Sequence, residues 1–148
     1  MDTIDRAIVE RLRANARLSY AELGRQVGLS APAVHERVGK LESSGIIRAY
    51  RADVAPETIG LGVTALVGIV HDRHAEIDEV TAAMQELPEI ESCYFLAGEE
   101  SFLLKVRVGT IAELEQLIGR LNRTPGVAAT RTTIALSTKW ENRPQPAR

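Results

Sequence analysis

The chain has 148 residues, which is enough for a small helical module plus a compact α/β module. Hydrophobic residues make up 45% and charged residues 26% of the chain, a balance that argues against disorder. No apolar run approaches the roughly 20 residues that span a bilayer, and the N-terminus lacks the uninterrupted apolar core of a secretory signal.

The single cysteine, Cys93, excludes an internal disulfide and fits a reducing compartment. We therefore expect a cytoplasmic protein without membrane partners. Because the neighbours of Cys93 in its predicted strand are apolar, we interpret its thiol as part of the core.

The net charge of -2 is unevenly distributed along the chain. Residues 1–51 carry nine Lys/Arg against six Asp/Glu, a net +3, whereas the remainder has a net -5. A basic front half is typical of a module that neutralises DNA phosphates. The difference is small, and a fluctuation in surface composition would also explain it.

Near the N-terminus the sequence predicts a first helix followed by two short helices joined by a tight turn. Ser19 and Glu22 have the spacing of a capping box, which begins the second helix. Gly28 ends it, because glycine adopts the left-handed conformation without penalty. Ser30 caps the third helix, and Pro32 lies in its first turn. This is the form of a helix-turn-helix, whose second helix enters the major groove of DNA.

The third helix is expected to bury Val34, Val38 and Leu41 and to present its other face to DNA. Small residues at its start allow the backbone to approach, and polar residues follow. The candidate DNA-binding residues are Ser30, Ala31, Pro32, His35, Glu36, Arg37 and Lys40.

Each polar candidate has a predicted role. Arg37 and Lys40 are the expected phosphate or guanine contacts, His35 a donor, and Glu36 an acceptor for cytosine. Replacing Arg37 by Ala is therefore expected to weaken DNA binding by on the order of 1 to 3 kcal/mol. The alternative to DNA binding is a purely structural three-helix bundle, since such bundles occur in many proteins that never touch DNA.

The second half of the chain contains an internal repeat with a period of 37 residues. Leu66 aligns with Leu103 and Pro88 with Pro125, and each copy predicts a strand, a helix and a strand. Two tandem βαβ units predict the ferredoxin-like arrangement, with helices on one face of the sheet. The open face includes Leu66 and Val70, so we expect a second copy of the chain to cover it in a homodimer.

We therefore predict an α+β protein with an N-terminal helix-turn-helix domain at 1–51 and a hinge at 52–60. A ferredoxin-like βαββαβ domain follows at 61–140, and a mobile tail at 141–148. A β-like stretch is predicted at 46–54, as in winged-helix domains.

Four stretches of the chain match a known family pattern: Ile4–Arg17, Glu22–Ile47, Ala97–Val106 and Pro125–Leu136. Through these stretches the chain resembles the Lrp/AsnC (feast/famine) transcription regulators. The resemblance implies a DNA-reading domain, a β-hinge, and a C-terminal RAM-type domain that forms dimers and, by further assembly, tetramers or octamers. It also implies amino-acid effectors bound between dimers, no cofactor, and association with the nucleoid.

The resemblance departs from the family pattern at one loop. Members typically show Gly-Asp-x-Asp-Tyr, whose acids help to hold the amino group of the effector, whereas this chain has GEESF. Serine cannot form the charge-assisted bond of the second acid. The effector is then a different amino acid, another small metabolite, or none. By position, the candidate effector-binding residues are Gly98, Glu99, Ser101 and Phe102.

Two further functions remain as alternatives to a regulator. The first is an enzyme on the same scaffold, since sirohaem decarboxylases resemble Lrp/AsnC proteins in both domains; the second is a stand-alone metabolite sensor. His71 and His74 are three residues apart, but no third ligand is near in sequence, so we expect a solvated loop and not a metal site. Glu99 and Glu100 are not expected to form a catalytic pair, because adjacent side chains of an extended segment point to opposite sides. We expect a solvated turn at these residues instead.

Overall fold

The computed structural model describes residues 1–145, and the chain divides into two compact units. One unit comprises Met1–Asp53 together with the segment that begins at Trp140, and the other comprises Val54–Lys139. The end of the predicted mobile tail, 146–148, lies outside the described residues. None of the helices within the described part of the chain is long and apolar enough to cross a bilayer.

The first unit contains three helices: α1 at Thr3–Ala14, α2 at Tyr20–Val27 and α3 at Ala31–Ser43. Their apolar faces meet in one small core, as the helical spacing predicted. The buried members of this core are Ile8, Leu12, Leu23, Val34, Val38 and Leu41.

Local capping explains where these helices begin. The Ser19 hydroxyl accepts from the Glu22 amide, and the Glu22 carboxylate accepts from the Ser19 amide, which is the predicted capping box. Asp2 and Asp5 form a second capping box at the start of α1. Ser30 caps α3 by accepting from the Ala33 amide.

The predicted β-like stretch at 46–54 is wrong, because this segment has no regular secondary structure. A strand needs a neighbour for its amide and carbonyl groups, and the ladders among residues 1–145 involve only four strands farther along the chain. In the predicted hinge, Pro56–Ile59 forms a short 3₁₀ helix, which Gly60 ends with a left-handed φ of 80°.

The second unit has the predicted order of two strand–helix–strand repeats. The first is β1 at Val63–His71, α4 at Ile77–Gln85 and β2 at Ile90–Phe95; the second is β3 at Phe102–Val108, α5 at Ile111–Arg123 and β4 at Val127–Ile134. The strands form one antiparallel sheet in the order β2-β3-β1-β4. This is the ferredoxin-like arrangement, so the predicted fold class is confirmed.

Alternation along the two central strands decides which side chains enter the core. In β3 every second residue from Phe102 to Val108 is buried, and in β1 Ala65, Val67 and Ile69 are buried with them. Residues of α4 and α5 complete the core: Val80, Met84, Leu114, Leu117 and Leu121. The opposite face of the sheet carries Leu66, which is 41% exposed.

Cys93 is exposed, which corrects its predicted place in the core. Its register partner is Leu104, which is fully buried, so Cys93 lies on the expected face. However, β2 is an edge strand, and Phe95 on the same face is 64% exposed. A periodic pattern identifies the face of a residue but not whether a helix covers it.

Candidate DNA-reading surface and effector loop

The turn between α2 and α3 depends on two glycines. Gly28 ends α2 with a φ of 74°, as the sequence predicted. Gly24 was not singled out, yet a Cβ at this position would lie 2.4 Å from the carbonyl oxygen of Leu29. The amide of Leu29 in turn donates to the carbonyl of Gly24 at 2.9 Å. The close approach of these two backbone segments fixes the direction in which α3 leaves the turn.

The exposed face of α3 is the one that the sequence assigned to DNA. Val34, Val38 and Leu41 are buried, as predicted. Ala31 is half-buried at the start of the helix. The exposed candidates are Ser30, Pro32, His35, Glu36 and Lys40.

Arg37 differs from the other candidates because two carboxylates already bind it. Its Nη1 lies 2.7 Å from Asp2 Oδ2 and 2.7 Å from Asp5 Oδ1. The backbone amide of Asp5 and then Arg37 hold the pKa of Asp2 below its ordinary value, and the two acids raise the pKa of Arg37. The two ion pairs of Arg37 therefore connect the start of α1 to α3.

Lys40 has a looser partner. Its Nζ lies 2.7 Å from Glu36 Oε1, one turn earlier in the helix, and both side chains are exposed, at 73% and 69%. Lys40 lowers the pKa of Glu36. Water and salt screen an exposed pair of this kind, so DNA phosphates can displace it.

Two tyrosines that the sequence did not single out flank the predicted DNA-reading face. The ring of Tyr20, at the start of α2, lies 5.2 Å from the ring of His35. The hydroxyl of Tyr50 donates to Glu42 Oε1 at 2.9 Å. Burial and the Glu42 carboxylate raise the pKa of Tyr50 to about 12, so the phenol stays protonated as a donor. Only contacts between distant segments reveal these residues.

In the second unit, the predicted effector loop joins β2 to β3 and folds back on itself. The Leu96 amide donates to the Ser101 carbonyl at 2.8 Å, and the Ser101 amide donates to the Ile69 carbonyl at 2.7 Å. Gly98 lies in the bend between these anchors. The loop is thus attached to the end of β1.

Arg131 of β4 binds both loop carboxylates, Glu99 Oε2 and Glu100 Oε1, each at 3.0 Å. The backbone bends here, in line with the expected turn, and is not extended. The two side chains therefore converge on one guanidinium and do not point to opposite sides. Glu100 lies over Gly68, where a Cβ would come 2.7 Å from Glu100 Cγ. Gly68 is the register partner of Arg131 and leaves room for the Glu100 chain.

The other two loop candidates face the end of β1. Ser101 Oγ is hydrogen-bonded to His71 Nδ1, and the His71 ring meets the Phe102 ring edge-on at 6.3 Å. Phe102 is only 1% exposed, so its ring supports the loop from the core side. His71 is the last residue of β1, not part of the loop expected for it. Within residues 1–145 no group of three or more His, Cys, Asp or Glu is placed to hold a metal ion.

The open face of the sheet carries a charged network beside its apolar residues. Glu91 binds Lys105 Nζ at 3.0 Å and Arg107 Nε at 2.5 Å, and Arg107 also donates to Thr64 at 2.9 Å. Burial acts to raise the pKa of Glu91, but Arg107 and Lys105 outweigh it and the net shift is downward. The side chains of Lys105 and Arg107 are only 15% and 12% exposed, so their stems lie flat on the sheet.

Each of the two units is matched by a model of a known protein family. The model of the AsnC-type helix-turn-helix domain matches residues 1–42, and that of the Lrp/AsnC ligand binding domain matches residues 64–145. The chain is 41% identical over 143 residues to the HTH-type transcriptional regulator LrpA of Mycobacterium tuberculosis, covering 97% of this chain and 95% of the relative.

Two similar solved structures contain an amino acid. A feast or famine regulatory protein from M. tuberculosis complexed with L-methionine is 40% identical, with 97% of each chain covered and a TM-score of 0.91. The L-methionine complex of the transcriptional regulator NMB0573 from Neisseria meningitidis is 28% identical, covering 99% of this chain and 96% of that chain, with a TM-score of 0.88.

Proposed function

The chain belongs to the Lrp/AsnC family of transcription regulators, and from this premise we propose that it reads DNA through the exposed face of α3. It acts as a regulator and not as an enzyme, since its relatives are named as transcription regulators. The DNA contacts that we propose are Ser30, Ala31, Pro32, His35, Glu36 and Lys40.

One observation carries this proposal. The turn formed by Gly24 and Gly28 packs α3 with its apolar side inward, so the first turns of α3 expose small and polar residues. An α-helix presented in this way fits the major groove, where His35 and Glu36 reach base edges and Lys40 reaches a phosphate. Arg37 differs, because its guanidinium is already bound by Asp2 and Asp5.

Nuclease protection of the DNA upstream of the protein's own gene tests this function. We expect saturable protection in the presence of excess competitor DNA. If the protein is a dimer, two protected half-sites should lie about 10–10.5 base pairs apart or at a multiple of that spacing. Protection that competitor DNA abolishes entirely would contradict sequence-specific reading.

We further propose that a small molecule with an ammonium group binds beside the loop of Gly98, Glu99 and Ser101. The buried ring of Phe102 supports this binding site from the core side. The L-methionine complexes of two relatives support an amino acid. Glu99 is 83% exposed and carries one of the two loop charges, whereas Arg131 neutralises only one of them. The surplus carboxylate suits an ammonium group.

A second copy of the chain is the proposed partner for the open face of the sheet. Leu66 is exposed there, on the same face as the half-buried Val70, and a symmetric dimer would cover both and position two copies of α3. Tetramers or octamers are proposed on the family pattern alone.

A DNA-binding regulator of this kind acts in the cytoplasm, and we propose association with the nucleoid.

A further inference from the structure

The two basic residues of α3 have different electrostatic surroundings. Arg37 is 31% exposed, and its Nη1 is shared by Asp2, which is 53% exposed, and Asp5, which is 18% exposed. Lys40, three residues later, is 73% exposed and has the single exposed partner Glu36. Arg37 is thus bound by two acids at the start of α1, the N-cap Asp2 and Asp5, and Lys40 by one acid of its own helix.

This difference matters for the sequence-independent part of DNA affinity. That part comes from cations that neutralise phosphates and release condensed counterions, and each such cation adds about 0.9 to the slope of log K against log salt. An arginine whose charge two carboxylates already balance contributes little to that slope. Asp2 also lies at the surface, where its charge repels an approaching phosphate.

We infer that Asp2 and Asp5 limit sequence-independent DNA affinity by keeping Arg37 out of phosphate contact. Arg37 is then a positioning residue that ties α1 to α3, and Lys40 is the cation of α3 that meets phosphate. This inference rests on the proposed reading of DNA by α3. The groups at the start of α3, including Ala31 and His35, then distinguish one DNA sequence from another. Contacts to base edges carry this sequence information, whereas contacts to phosphates do not.

The test measures binding of the full chain to a duplex of arbitrary sequence at several salt concentrations from 50 to 200 mM. The double variant Asp2→Asn/Asp5→Asn removes both charges, and Asn at position 2 keeps the capping oxygen of α1. Its matched control is Glu10→Gln/Asp53→Asn, which removes two acidic charges from the same unit. Thermal melting of every variant confirms that it is folded.

We expect the Asp2→Asn/Asp5→Asn protein to bind more tightly than its control at 50 mM salt. The salt slope should be steeper by about 0.9, so this advantage should shrink roughly threefold by 200 mM. Adding Arg37→Ala should remove the gain. Identical slopes for the double variant and its control would overturn the inference.

Single substitutions of the two cations give an independent readout in the native background. Lys40→Ala should reduce the salt slope by about 0.9, whereas Arg37→Ala should leave it unchanged while lowering the melting temperature. Equal reductions of the slope in both variants would show that Arg37 contacts phosphate, and the inference would be wrong. A wild-type protein that binds no DNA at 50 mM salt would instead refute the proposed function itself.

Discussion

Individual glycines show how a single missing side chain directs the chain. At Gly24 the space for a Cβ is taken by the backbone carbonyl of Leu29, at 2.4 Å, and a backbone oxygen inside a tight turn cannot retreat without moving α3. At Gly68 the corresponding neighbour is Glu100 Cγ, at 2.7 Å, which belongs to a flexible side chain. Both contacts are too short for a Cβ, but they have different consequences.

Gly24→Ala should lower the free energy of unfolding by about 1–3 kcal/mol, because the methyl group overpacks the turn. Urea denaturation followed by circular dichroism measures the loss. Ala21→Gly, in the exposed first half of the same helix, is a control for changes in helix propensity alone and should cost about 1 kcal/mol or less. A Gly24→Ala protein as stable as wild type would mean that the turn is looser than its geometry indicates.

At the scale of elements, the loop between β2 and β3 is held from two sides. Arg131 of β4 binds its two acids, and His71 of β1 binds Ser101. Because Gly68 has no side chain, the Glu100 side chain can lie over it, and the loop packs against the sheet. The arrangement of the loop therefore depends on residues in two other strands, β1 and β4.

Gly68→Ala should leave the free energy of unfolding nearly unchanged but displace Glu100 from Arg131. If L-methionine binds wild-type protein, its affinity measured by calorimetry should fall several-fold in this variant, because the loop loses one anchor. Gly39→Ala is the matched control, since a Cβ there meets no atom within 4 Å. Unchanged affinity for L-methionine in Gly68→Ala would show that the position of Glu100 over Gly68 has no role in binding.

These elements also show which features the sequence predicts. The caps Ser19 and Ser30 and the alternation from Phe102 to Val108 are local signals, and the structure has them where they were expected. The partners of Arg37 lie 32 and 35 residues away in the chain, so no local pattern could identify them. The exposure of Cys93 likewise depends on whether a helix covers an edge strand, which is a property of tertiary packing.

At the scale of the whole molecule, one helix-turn-helix reads only half of a symmetric site, so pairing of two chains is central to the account. The open face of the sheet offers a pairing surface, with the exposed Leu66 at its centre strand. Leu66 lies between Lys105 and Thr133 in the register of the sheet.

Leu66→Asp should convert a dimer into a monomer at micromolar concentration, because the dimer would have to bury a charged carboxylate in place of an apolar side chain. Sedimentation velocity measures the change. Ile111→Asp is the control, since Ile111 is an exposed apolar residue at the start of α5, on the helix side of the sheet. A Leu66→Asp protein that sediments as wild type does would exclude this face as the interface.

The central claim is that the exposed face of α3 reads DNA. The most direct measurement is the affinity for the upstream DNA of the gene, by fluorescence anisotropy with competitor DNA present, of wild type and of His35→Ala/Lys40→Ala. Loss of one base contact and one phosphate contact should weaken binding at least tenfold. Lys139→Ala, which removes a cation outside the helix-turn-helix, should bind as wild type does. Equal affinities of the wild type and the His35→Ala/Lys40→Ala protein would contradict the account.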